Sequence, residues 1–169
     1  LIERLDTLPR PALPAAVGVV AALVRAWVLV EQRAANPLLR VAILDDRGYL
    51  DMAAAIGRGE LEGPWFLAPL YPYALAAVSL GAEPGLLAAC VLNAAVGTAS
   101  AVTRALAARA VHPQAAGWIA GLLLALAGTF VFHDVLPGQE PLLCLLHLAG
   151  FWAAVRWMRT GALPAAAAL

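Results

Sequence analysis

Four stretches of this chain carry almost no charge. Pro84–Thr103, Ala115–Phe132 and Pro141–Val155 contain no Asp, Glu, Lys or Arg, and Ala12–Val30 contains only Arg25. Runs of this length approach the roughly 20 apolar residues that cross a bilayer as a helix. Within a membrane the backbone must satisfy its own hydrogen bonds, so apolar runs like these fold as helices. The expected fold is therefore an all-α, polytopic transmembrane helix bundle. Composition agrees, because 63% of the 169 residues are apolar where a soluble domain is nearer half. Eleven basic and eleven acidic residues balance, so charge gives no indication of a nucleic-acid partner.

The expected spans are 12–30, 84–103, 115–132 and 141–158, with the start of another at 162. Pro11 and Pro14 open the first, as suits the first turn of a helix. The sequence begins at Leu1 and stops within "LPAAAAL", which reads as the N-terminal part of a longer single domain. "RAWVLVEQR" lacks a small-residue cleavage site, so the first run reads as a span and not as a signal peptide. Cys90 and Cys144 fall inside apolar runs and read as small buried hydrophobes. Gly117 and Gly121 form a GxxxG pair, which permits close helix packing but recurs often by chance.

The segment 31–83 is different. Its first half carries Glu31, Asp45, Asp46, Asp51, Glu60 and Glu62 against Arg33, Arg40, Arg47 and Arg58. In "DRGYLDMAAAI", Tyr49, Met52, Ala53 and Ile56 fall at i, i+3, i+4 and i+7, with Arg47, Asp51 and Arg58 opposite. That pattern predicts an amphipathic surface helix with Asp45 or Asp46 as its N-cap. Its second half, Gly63–Ala82, is uncharged for twenty residues, but Pro64, Pro69 and Pro72 interrupt it. Its longest Pro-free helix, Tyr73–Ala82, would reach roughly 15 Å, half a bilayer core. Trp65, Phe66, Tyr71 and Tyr73 suit the headgroup level. An interfacial helix is expected here.

If 63–82 does not cross, Arg104/Arg109 and Arg156/Arg159 share one face of the membrane. The acid-rich 31–83 loop and the 133–140 loop share the other. This satisfies the positive-inside rule with the acids outside. Asp45 and Asp46 would then face Asp134 and Glu140. Facing carboxylates serve as a general base or as oxygen ligands for a divalent cation; equally, they serve as a helix cap and as solvated loop acids. Arg25 either stabilises an anionic ligand or snorkels to the headgroups. His133 is either a metal ligand beside Asp134 or a solvated loop histidine. His147 reads as a satisfied bundle histidine, and mid-span Asn93 as a hydrogen-bonder to a neighbouring helix.

The order of motifs adds a resemblance. A basic-ended span is followed by "LDDRGYLDMAAAIGRGELEG", then "APLYPYALAAVSLG", then a span ending "TRALAAR", then "LPGQEPLLCLL". This resembles the N-terminal part of the GT-C class of polyprenyl-phosphate-sugar glycosyltransferases, in particular the dolichyl-phosphate-mannose–protein mannosyltransferase-like and aminoarabinose-transferase-like members. The resemblance implies surface helices in a large first extracytoplasmic loop of a bacterial inner-membrane enzyme. It implies a polyprenyl-phosphate sugar donor and a protein or lipid acceptor. It assigns the catalytic acid of the first loop to Asp45, with Asp46 as alternate, and that of the next outer loop to Glu140, with Asp134 nearby. Arg25, Tyr49, Tyr71 and Asp134 become candidate substrate-binding residues. A divalent cation such as Mg or Mn would be held by Asp45, Glu140 and His133. Two readings stand beside it: a non-enzymatic, transporter-like membrane protein, and a polymerase or ligase of lipid-linked saccharides.

Overall fold

A computed structural model describes residues 12–60, 67–79, 82–112 and 114–161. Among these every regular element is a helix: α1 Ala12–Ala35, a 3₁₀ turn Pro37–Leu39, α2 Leu44–Gly57, α3 Leu70–Ser79, α4 Leu86–Val111, α5 Gln114–Leu126, α6 Gly128–Asp134 and α7 Glu140–Thr160. Three of them (α1, α4 and α7) are long and apolar enough to cross a membrane. The α5–α6 pair passes the same test as a unit but bends by 59° at Ala127.

The expected spans are present but differently bounded. Helix α4 runs through Arg104 and Arg109 to Val111, and α1 continues through Glu31 and Arg33 to Ala35. A charge ends a hydropathy run without ending a helix, and Arg and Ala are both good helix formers. The expected single span 115–132 is instead two helices with a break. The run expected from 162 lies outside the described residues, as do Pro64, Trp65, Phe66 and Glu62.

Helix α4 is the centre of the bundle, packed against α5, α7 and α1. Its buried face is built from small residues, including Ala89, Gly97, Ser100, Ala101 and Ala105. Small side chains let helix backbones approach closely, which is how helices gain packing energy where lipid is as apolar as the core. The main cluster joins Leu13, Val17 and Ala21 of α1 to Ala101 and Ala105 of α4 and to Leu124 and Ala125 of α5. Gly117 and Gly121 lie on this seam. A Cβ at Gly121 would stand 2.7 Å from Ala105 Cβ, and one at Gly117 2.9 Å from the Ala105 carbonyl oxygen. The GxxxG pair is thus a packing device in this chain.

The amphipathic helix and the short apolar helix are both present as α2 and α3. Tyr49 and Ala53 of α2 are buried, Arg47, Asp51 and Arg58 are exposed, and Ala53 packs with Leu75 of α3 and Ala89 of α4. At ten residues α3 is shorter than a span. The N-cap assignment is corrected: Ile43 occupies the cap position without a side-chain bond, and Asp45 and Asp46 stand in the first turn. Acids there still meet the positive end of the helix dipole.

Candidate functional site

The loop entering α7 is tied down from two sides. Asn93, near the start of α4, is fully buried, and its Nδ2 donates to the carbonyl oxygens of Leu136 and Gly138 at 2.5 and 2.9 Å. The Gly138 amide donates to the Tyr71 hydroxyl at 3.3 Å. Gly138 has φ +152, in the region that favours glycine, and a Cβ there would overlap the Glu140 carboxylate. Asn93 therefore bonds this loop and not a neighbouring helix, and Tyr71 is held by the same turn that presents Glu140.

Tyr71 also meets α2. Its ring packs edge-to-face on Tyr49, with centroids 5.0 Å apart and planes at 85°, a favourable aromatic geometry. Tyr71 is 1% exposed. Burial pushes its phenol up to about 12, partly opposed by the Gly138 amide and the Asn93 side chain. Tyr49 is raised too, first by burial and then by the charges of Glu140, Asp45 and Asp46.

These contacts bring the two acid groups to one end of the bundle. The carboxyl of Asp46 is raised above the usual carboxylate range, first by burial, then by Asp45 and then by Glu140. Burial and two like charges outweigh the helix N-terminus, which favours the ionised form. Asp45 itself is exposed. Just before it, Leu44 has φ +50, a backbone conformation that costs a non-glycine residue roughly 1–2 kcal/mol. Strain of this kind persists where the surroundings over-determine it, often beside functional groups.

Asp134 and Arg25 behave otherwise than as loop acid and snorkelling base. Asp134 ends α6 and is buried. Its Oδ2 accepts from Arg25 Nε at 2.9 Å and Nη2 at 2.5 Å. Arg25 is 1% exposed, and its Nη1 donates to the carbonyl oxygens of Ala21 at 3.2 Å and Ala125 at 3.3 Å. The α5–α6 break supports this pair, because it leaves the Ala125 carbonyl available to the arginine. An intact helix would have engaged that carbonyl in its own ladder.

Glu140 is exposed. It lines a small cavity of about 140 Å³ with Thr129, His133, Asp134 and Cys144. His133 is exposed and stacks edge-on with Phe132, centroids 5.7 Å apart. Among the described residues no group of three His, Cys, Asp or Glu side chains is placed to hold a metal ion. His147 is satisfied, as expected, by the Leu143 carbonyl one turn back at 2.7 Å, but it is exposed among the described residues and not packed in the bundle.

Among the described residues the fold is all-helical, with three, or with the bent pair four, helices long and apolar enough to cross a membrane. Compared with protein-family models, with curated proteins and with solved structures, the chain matches none.

Proposed function

We propose that this chain is part of a membrane glycosyltransferase of the GT-C type, moving a sugar from a polyprenyl-phosphate donor to a protein or lipid acceptor at the extracytoplasmic face. One observation carries the reading. Asp46, at the head of an amphipathic helix, and Glu140, at the head of α7, are far apart in sequence yet joined at one end of the bundle through Tyr49, which packs on Tyr71, and the Gly138 turn that bonds Tyr71. Paired carboxylates of this kind suit activation of an acceptor hydroxyl, a poor nucleophile until a base takes its proton. Asp46 is partly buried and its proton affinity is raised, so within this reading Asp46 is the better-placed base. Glu140 is the second acid, and the packed Tyr49–Tyr71 pair stands beside the turn that precedes it. Arg25 is engaged by Asp134, so the leaving phosphate falls instead to Arg33 and Arg40, which line a groove of about 460 Å³ beside Leu86, Leu87 and Cys90. A cation there stabilises charge developing on the departing phosphate.

The test is sugar transfer from a polyprenyl-phosphate sugar by the whole protein in membrane vesicles. Asp45→Asn, Asp46→Asn and Glu140→Gln are compared at equal membrane abundance. Asp46→Asn is expected to abolish transfer and Glu140→Gln to impair it. Near-wild-type transfer in all three variants overturns the reading.

The bent α5–α6 pair, which ends in buried Asp134 paired with Arg25 of α1, favours a second reading. Transporters build substrate sites from broken helices carrying charges near the midplane. Substrate uptake into proteoliposomes without sugar transfer would favour that alternative.

A further inference from the structure

At the end of the bundle away from the paired acids, the last turns of α4 and α7 leave an open pocket of about 440 Å³. Arg109, Trp152, Arg156 and Arg159 line it, and no acidic residue does. We propose that this pocket binds the phosphate of an anionic phospholipid.

Charge is the first argument. The C-terminal end of α7 contributes roughly −0.5 from its aligned peptide dipoles. Arg156 and Arg159 set two full positive charges against it, and among the described residues neither forms an ion pair. Arg109 adds a third guanidinium from the opposite wall. The helix end offsets only part of the Arg156 and Arg159 charge, which suits this wall of the pocket to an anion.

Position is the second argument. Both helices forming the pocket are long and apolar enough to span a membrane, and both end here. A ligand held at this depth lies at headgroup level, where a lipid phosphate is abundant. Trp152 suits that level. The Arg156 guanidinium lies over the Trp152 ring at 5.7 Å, within cation–π range, which holds the guanidinium in the pocket wall. Trp157 and Met158 are exposed on the same turns of α7, giving acyl chains an apolar surface. Basic pockets between spanning helices on the cytoplasmic side are a recurrent way to bind lipid headgroups. The positive-inside rule places this arginine-rich end there.

The experiment is lipid titration of the purified protein followed by native mass spectrometry. The probes are cardiolipin, phosphatidylglycerol and phosphatidylcholine, with inorganic phosphate as competitor. Wild type is expected to prefer both anionic lipids over phosphatidylcholine. The exposed arginines tolerate substitution, so Arg156→Gln and Arg159→Gln should each weaken anionic binding about fivefold. The double variant should lose the preference, with far-UV circular dichroism unchanged. Arg47→Gln, at the opposite end, should retain it. Equal binding of charged and zwitterionic lipids, or an unaffected double variant, overturns the proposal. So does full displacement of lipid by millimolar phosphate, which would mark a site for the free anion.

Discussion

Gly97 of α4 leaves the space that the Asp134 carboxylate occupies. A Cβ built at position 97 would overlap Asp134 Cγ and both of its oxygens. The carboxylate cannot retreat freely, because Arg25 holds it from the other side. Gly97→Ala is therefore expected to destabilise the bundle by about 1–3 kcal/mol, the usual cost of overpacking. A lowered Tm of the purified protein in detergent checks this. An unchanged Tm would show that α4 and α6 do not approach this closely.

The Arg25–Asp134 pair itself makes an asymmetric prediction. Removing one buried partner leaves the other charge uncompensated, at a cost of about 3–5 kcal/mol. Arg25→Met alone should therefore be severely destabilising. The double variant Arg25→Met/Asp134→Leu should recover most of the loss, because an apolar pair of similar volume carries no desolvation penalty. A double-mutant cycle measured by thermal unfolding decides it. Additive single effects would show that the two residues are not coupled.

Asp46 gives a pH-dependent prediction. Its raised proton affinity means that the folded state favours the neutral carboxyl. Unfolded, the group titrates near about pH 3.9. Its contribution is most favourable below that pH and is lost as pH rises through the higher folded value, so at neutral pH ionised Asp46 destabilises the fold. Asp46→Asn is expected to raise Tm at pH 7, with the gain fading as the pH falls through the raised folded value and gone below about 4. The same substitution is expected to abolish transfer. Stability gained where activity is lost separates a working carboxylate from a structural one.

Much of the fold was legible in the sequence because hydropathy and periodicity are local. The runs around Val17, Val96, Leu124 and Leu148 are too long and apolar to be anything but buried or membrane-facing helix. Three prolines in 63–82 argued against a span, and α3 is accordingly short. Spacing alone placed Tyr49, Met52, Ala53 and Ile56 on one apolar face of α2; Tyr49 and Ala53 are buried, and Met52 and Ile56 half-buried. Helix ends were less legible. Arg104 and Arg109 interrupt hydropathy without interrupting the α4 ladder, and Ala127 carries no sequence signal for a 59° bend.

The sequence by itself determined the all-helical class of fold and the positions of the long apolar runs. It placed Asp134 in the 133–140 loop, where the structure puts it at the end of α6, and it left Arg25 between a ligand and the headgroups. Only the tertiary structure paired them, because burial of a charge depends on which backbone approaches it, and that depends on Gly97, which carries no charge or polarity to notice. The same holds for Tyr71 and Asn93. The Asn93 amide nitrogen and the Tyr71 hydroxyl are bonded by the turn at Leu136 and Gly138, a long-range contact that sequence spacing cannot encode. That turn is what sets Glu140 against the head of α2.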